Sequence, residues 1–138
     1  MTVPRHAIED LAARVLVGIE ETERIAQAAT AGPWKARLWP GLGTGDVETE
    51  DNLSSIAYDS GGAGACESVD ALHIAHNDPQ VVLRRCEADR RTVQRHEPRP
   101  LDDDYATCHW CGQVWPCPDL LDRAQAYDIT TGEVPSGR

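Results

Sequence analysis

The feature that most constrains this chain is a Cys/His cluster near its end: His96, Cys108, Cys111 and Cys117, spaced His-x11-Cys-x2-Cys-x5-Cys. Three thiolates and one imidazole are the protein ligands that one tetrahedral zinc needs, and together they close its shell against substrate. A closed shell predicts a structural Zn2+, one per chain. Cys108 and Cys111 offer two thiolates from one tight turn, and Gly112 supplies the backbone freedom such a turn uses. Cys117 follows Val114-Trp115-Pro116, a short apolar insertion able to fold back across the site, and His96 reaches it from a preceding helix across the linker 97–107. His109 is an alternative fourth ligand, although a residue inside a two-residue spacer normally points away from the ion. A redox Cys-x2-Cys is the other rival, and it leaves Cys117 and His96 unexplained.

Five cysteines form an odd set that does not suit a disulfide framework, and Cys66 and Cys86 read as small buried apolar side chains. No apolar run is long enough to span a membrane, so the expected location is cytoplasmic. At 138 residues the chain is most simply one domain over 1–128, with a zinc module at 96–117 and a flexible tail at 129–138. The net charge is -10, but residues 81–99 carry 6 basic and 3 acidic side chains against 5 and 13 in residues 1–80. An acidic molecule repels phosphate backbones, which weighs against nonspecific nucleic-acid binding without excluding a local basic contact.

Apolar residues at Ile8, Ala12, Val15, Ile19, Thr22, Ala26 and Ala29 predict a first helix over 5–29. Gly32 is placed to take the C-cap geometry, and Pro33 forbids continuation. Trp34 to Trp39 then reads as extended, ended by Pro40-Gly41. Gly41, Gly43 and Gly45 lack the Lys-Ser/Thr of a phosphate loop and lie among acidic residues, so short strands at 46–49 and 53–58 are expected, followed by a flexible glycine-rich run at 60–65. Ser68 or Asp70 caps a second helix, 69–77, on which Asp70, His73 and His76 recur every three residues and form a possible secondary polar site. Asp78 caps a third helix with Pro79 in its first turn, running to His96. Arg84, Arg85, Arg91, Arg95 and Arg99 make its region basic and supply a possible interaction patch. The expected fold class is α+β: three main helices, a small antiparallel sheet, and a C-terminal zinc-stapled segment ending in a short helix near 119–127.

Ala31-Gly32-Pro33-Trp34, Ala71-Leu72-His73-Ile74-Ala75-His76-Asn77-Asp78-Pro79, Val81-Val82-Leu83-Arg84 and Trp115-Pro116-Cys117-Pro118 resemble a group of small uncharacterised proteins of actinobacteria and their phages. The resemblance covers about residues 5–125. It implies a metal module at His96, Cys108, Cys111 and Cys117 and a phage or mobile-element accessory role, but no established reaction. The acidic linker Leu101-Asp102-Asp103-Asp104-Tyr105 and the tail after Tyr127 depart from the pattern.

Three functional readings follow. The first is a noncatalytic, zinc-stabilised interaction protein rather than an enzyme, with a protein partner in the host or its defences and a possible homodimer. The second is a nucleic-acid-binding module on the arginines of 84–99. The third is a metal-dependent hydrolase or nuclease around Asp70, His73 and His76, aided by Asp102 to Asp104.

Overall fold

The computed structural model describes residues 5–102 and 105–129, with side chains from residue 10 onward in the first helix. The elements run α1 (Arg5–Ala28), β1 (Trp34–Trp39), β2 (Thr44–Thr49), β3 (Ser55–Ala57), β4 (Cys66–Glu67), α2 (Ser68–His76), α3 (Pro79–Arg95), β5 (Pro98–Pro100), β6 (Ala106–Cys108) and α4 (Pro118–Ala126). The expectation of three helices and one sheet is therefore corrected: the described residues form four helices and two antiparallel sheets. The linker expected at 97–107 contains the second sheet, because Arg99 pairs with Thr107 between two prolines that an edge strand tolerates. Most of the tail expected at 129–138, along with Asp103 and Asp104, lies outside the described residues.

The chain divides into two compact units, Glu23–Arg85 and the combination of Met1–Thr22 with Cys86–Arg138. In the Glu23–Arg85 unit, β1 and β2 pair in register from Trp34 with Thr49 to Trp39 with Thr44. Gly41 (φ 83°) and Gly43 (φ 67°) give their connection the left-handed backbone of a tight turn. β2 also pairs with β3 and β4, and α2 covers β1 and β2, burying Val47 and Ala71 completely. The glycine-rich run expected to be flexible is tied to β2: Ala65 N–H donates to Gly45 O and to Asp46 Oδ1, and the Thr44 hydroxyl donates to Ala63 O. Gly64 has φ 90°, and a Cβ there would sit 2.6 Å from Thr44 Oγ1. Ser68 does not cap α2, since its hydroxyl donates instead to Thr44 O across to the strand.

Asp78 joins two of the sequence motifs. Its Oδ1 accepts Val81 N–H (2.9 Å) in the first turn of α3, and its Oδ2 accepts Trp34 N–H (3.2 Å). Gly32 is absent from the positive-φ glycines and lies four positions past Ala28, the last residue of α1, so it is not a C-cap. Its need for a small side chain comes from Asp78: a Cβ would meet Oδ2 at 3.0 Å.

In the other unit, Leu11, Val15 and Ile19 of α1 are buried at helical spacing, as are Cys86 and Val93 of α3 and Leu120 and Ala124 of α4. Gly18 lets the segment after α4 approach, since a Cβ there would lie 3.3 Å from Ile129 and Tyr127. Cys86 is buried as expected, but Cys66, in the Glu23–Arg85 unit, is only half-buried. Tyr127 O–H donates to Asp89 Oδ2 at 2.7 Å, and Arg123 donates to Asp89 Oδ1 at 2.7 Å.

That network carries a pH signature. Burial and the bond to Asp89 hold the Tyr127 hydroxyl well above its usual value, so the folded chain keeps a proton that the unfolded chain releases near pH 10. The stabilisation is fully present below about pH 10 and is lost as pH rises above it. Tyr127→Phe is expected to lower stability by about 1–2 kcal/mol at pH 8. Urea midpoints measured from pH 8 to 11 should fall for the native chain and converge on those of Y127F; parallel curves would reject the linkage.

Candidate metal centre

The four ligand candidates are gathered by three local structures of the Cys86–Arg138 region. His96 sits one residue past α3 and continues its last turn, with its N–H donating to Thr92 O (3.1 Å). Cys108 ends β6 and opens a knuckle in which Gly112, at φ 72°, donates its N–H to Cys108 O (3.0 Å) while Cys108 N–H donates to Gln113 O (2.7 Å). A side chain at Gly112 would be strained in that backbone, which is why the turn after Cys111 takes glycine. The returning segment is held by Trp115 N–H donating to Ala106 O (3.0 Å); Trp115 is 3% exposed, and Cys117 follows at the head of α4.

The result is one group. The ligand atoms of His96, Cys108, Cys111 and Cys117 all lie within 4.8 Å of one another, and His96, Cys108 and Cys117 are buried while Cys111 is exposed. His96 Nδ1 is 3.2 Å from Cys108 Sγ and 3.4 Å from Cys117 Sγ. On the far side of the ring, Nε2 is 3.2 Å from Asp119 Oδ2. His109 does not belong to the group; it is exposed, and its backbone N–H donates to Glu97 O (2.8 Å). The group that converges thus contains His96 and not His109, which with Trp110 occupies the exposed spacer between the two cysteines.

The electrostatics of the thiols test whether a cation fits. For Cys108 burial opposes ionisation, but the backbone N–H groups of Cys111 and Trp110, with the Cys111 and His96 side chains, outweigh it and lower the thiol to about 7. For Cys117 burial and the neighbouring Cys108 and Cys111 push the thiol up to about 12, against a favourable N–H from Leu120. The protein by itself supports one thiolate and resists the next. Three sulfurs and an imidazole nitrogen within 4.8 Å of one another need a positive ion for the sulfurs to be thiolates together, and a tetrahedral zinc would fit that charge and geometry. A thiol, His96 and Asp119 in line have the outline of a nucleophilic triad. Here, though, Cys108 is 2% exposed and a second thiol shares its imidazole nitrogen, so no clear triad is present.

The other sequence candidates are dispersed. Asp70, His73 and His76 lie exposed on α2, where Asn77 Nδ2 donates to His73 O (2.8 Å), and no second group of three metal-ligating side chains forms among the described residues. Arg84, Arg85, Arg91 and Arg95 are exposed on α3, and Arg99 is exposed on β5. Several are engaged: Arg85 donates to Asn77 (2.9 Å), Arg91 to Glu87 (2.8 Å), and Arg95 stacks over Trp110 at 5.0 Å. A nucleic-acid-binding basic helix is not evident in this arrangement. Asp119 is the site residue that the sequence did not disclose, because an aspartate in the first turn of a helix reads as a complement to the helix dipole.

Among the described residues no helix is long and apolar enough to cross a membrane. Compared with known proteins, residues 8–128 match a family described as a family of unknown function, DUF6221. No curated protein and no solved structure matches the chain.

Proposed function

The chain belongs to DUF6221, and from its metal centre we propose that it is a noncatalytic interaction protein whose C-terminal module is held by one structural zinc. The observation that carries this reading is the convergence of one imidazole and three thiols within 4.8 Å, a donor set that fills a tetrahedral shell. His96, Cys108, Cys111 and Cys117 would hold the ion, whose role is to join the end of α3, the knuckle and the head of α4. Reduced cysteines fit a cytoplasmic setting, and no disulfide joins any of the five.

An interaction role is supported by what the knuckle displays. Trp110 is 64% exposed with Arg95 stacked on it, and Val114 is 56% exposed. Trp and Arg are the side chains most enriched at binding hot spots. In this proposal the partner is a protein of the host or its defences, or a second copy of the chain, in keeping with the resemblance to proteins of actinobacteria and their phages.

Native mass spectrometry with elemental analysis tests the reading. One zinc per chain is expected, together with a homodimer or a defined partner complex that Trp110→Ala weakens at least tenfold while zinc content stays unchanged. A zinc-free folded chain would overturn it. The basic-helix alternative predicts oligonucleotide binding that weakens steeply between 50 and 200 mM salt, and the hydrolase alternative predicts divalent metal bound at Asp70, His73 and His76.

A further inference from the structure

We propose that Asp119 is a positioning residue for the metal: its carboxylate fixes the His96 ring so that Nδ1 faces the three thiols. This inference rests on the zinc reading above and extends it beyond the four ligands.

An imidazole donates to a metal through a nitrogen whose lone pair is free, so a ring that presents Nδ1 must carry its proton on Nε2. His96 is 4% exposed, and a buried N–H without an acceptor is costly. Asp119 Oδ2, 3.2 Å from Nε2, is that acceptor. The opposite edge of the same ring lies 3.2 Å from Cys108 Sγ and 3.4 Å from Cys117 Sγ, which leaves one orientation compatible with both sides. A carboxylate in this outer position selects the tautomer and strengthens the ring as a donor.

The chain layout reinforces the assignment. Cys117 and Asp119 are two residues apart at the start of α4, so one helix head supplies a ligand and the group that orients another. Asp119 is itself 58% exposed on its side chain, so its replacement leaves no buried charge behind and perturbs the ring directly rather than the core.

The test uses the full chain. Zinc affinity, measured by competition with a chromophoric chelator, should fall 10–100-fold in Asp119→Ala and less in Asp119→Asn, which keeps an oxygen acceptor without the charge. Circular dichroism at saturating zinc should match the native chain for both. With 113Cd in place of zinc and 15N-labelled histidine, the cadmium should couple to Nδ1 of His96 in the native chain, while the Nε2 proton, slow to exchange there, should exchange rapidly in D119A. Native affinity in both variants, or coupling to Nε2 in the native chain, would overturn the role of Asp119 and leave the zinc reading standing. A native chain that takes up neither metal would overturn both.

Discussion

Stripping the metal with a chelator is expected to unfold the region that holds His96, Cys108, Cys111 and Cys117. Structural zinc contributes roughly 10 kcal/mol or more of apparent binding free energy in small modules, comparable with the ~5–15 kcal/mol by which whole domains are stable. The secondary structure around the site is too short to stand without it: β5 and β6 have three residues each and α4 has nine. Trp115, 3% exposed behind the knuckle, reports the event, and its fluorescence should shift to the red on chelation and recover with added zinc. Cys108→Ala and Cys117→Ala should each reproduce the loss without chelator. Binding should also strengthen as pH rises, because Cys117 must release its proton to solvent before its thiolate can hold the ion. Retention of native Trp115 emission after complete metal removal would refute the structural role.

The His/Cys cluster was legible in the sequence because metal-ligand chemistry is carried by rare residue types at short spacings. Cys108, Cys111 and Cys117 lie within one turn-and-return, and His109, inside the spacer of that turn, is exposed and outside the group. The fold around it was less legible. The hairpin of β5 and β6 hides in Pro98-Arg99-Pro100, whose composition says linker, and only pairing with Ala106–Cys108 makes it a strand. The run at 60–65 looked flexible because glycine signals freedom; in the structure Gly64 is there because backbone and the Thr44 side chain approach too closely for a Cβ. Asp78 was readable as a cap through Asp-Pro, but its second bond, to Trp34, spans 44 residues and leaves no periodic trace. Asp119 escaped for the same reason: its partner is 23 positions away in the chain, and its local context already accounts for an acidic side chain. Local grammar disclosed what local geometry determines, and long-range polar contacts were invisible to it.

Replacing Asp78 with alanine is expected to destabilise the Glu23–Arg85 unit by about 3 kcal/mol. The carboxylate is 6% exposed and serves two ends at once. Loss of the N-cap bond to Val81 alone costs about 1 kcal/mol, and the bond from Trp34 N–H, an N–H to a charged acceptor, adds about 1.5–3 kcal/mol before the stranded donor is counted. The two contributions can be separated. Asp78→Ser keeps a capping oxygen for Val81 but is too short to serve Trp34, so it should recover roughly a third of the loss; Asp78→Asn offers an oxygen and an N–H donor where two acceptors are needed, and should fall between. Gly32 supplies the coupling. Gly32→Ala places a methyl 3.0 Å from Asp78 Oδ2 in the native chain and should be destabilising there, yet much less so once Asp78 is alanine. A double-mutant cycle on urea denaturation followed by tryptophan fluorescence should therefore return a coupling energy of about 1 kcal/mol or more between residues 32 and 78. Additive losses would show that the Gly32-Pro33-Trp34 turn and the Asp78-Pro79 helix start are independent features rather than one joint.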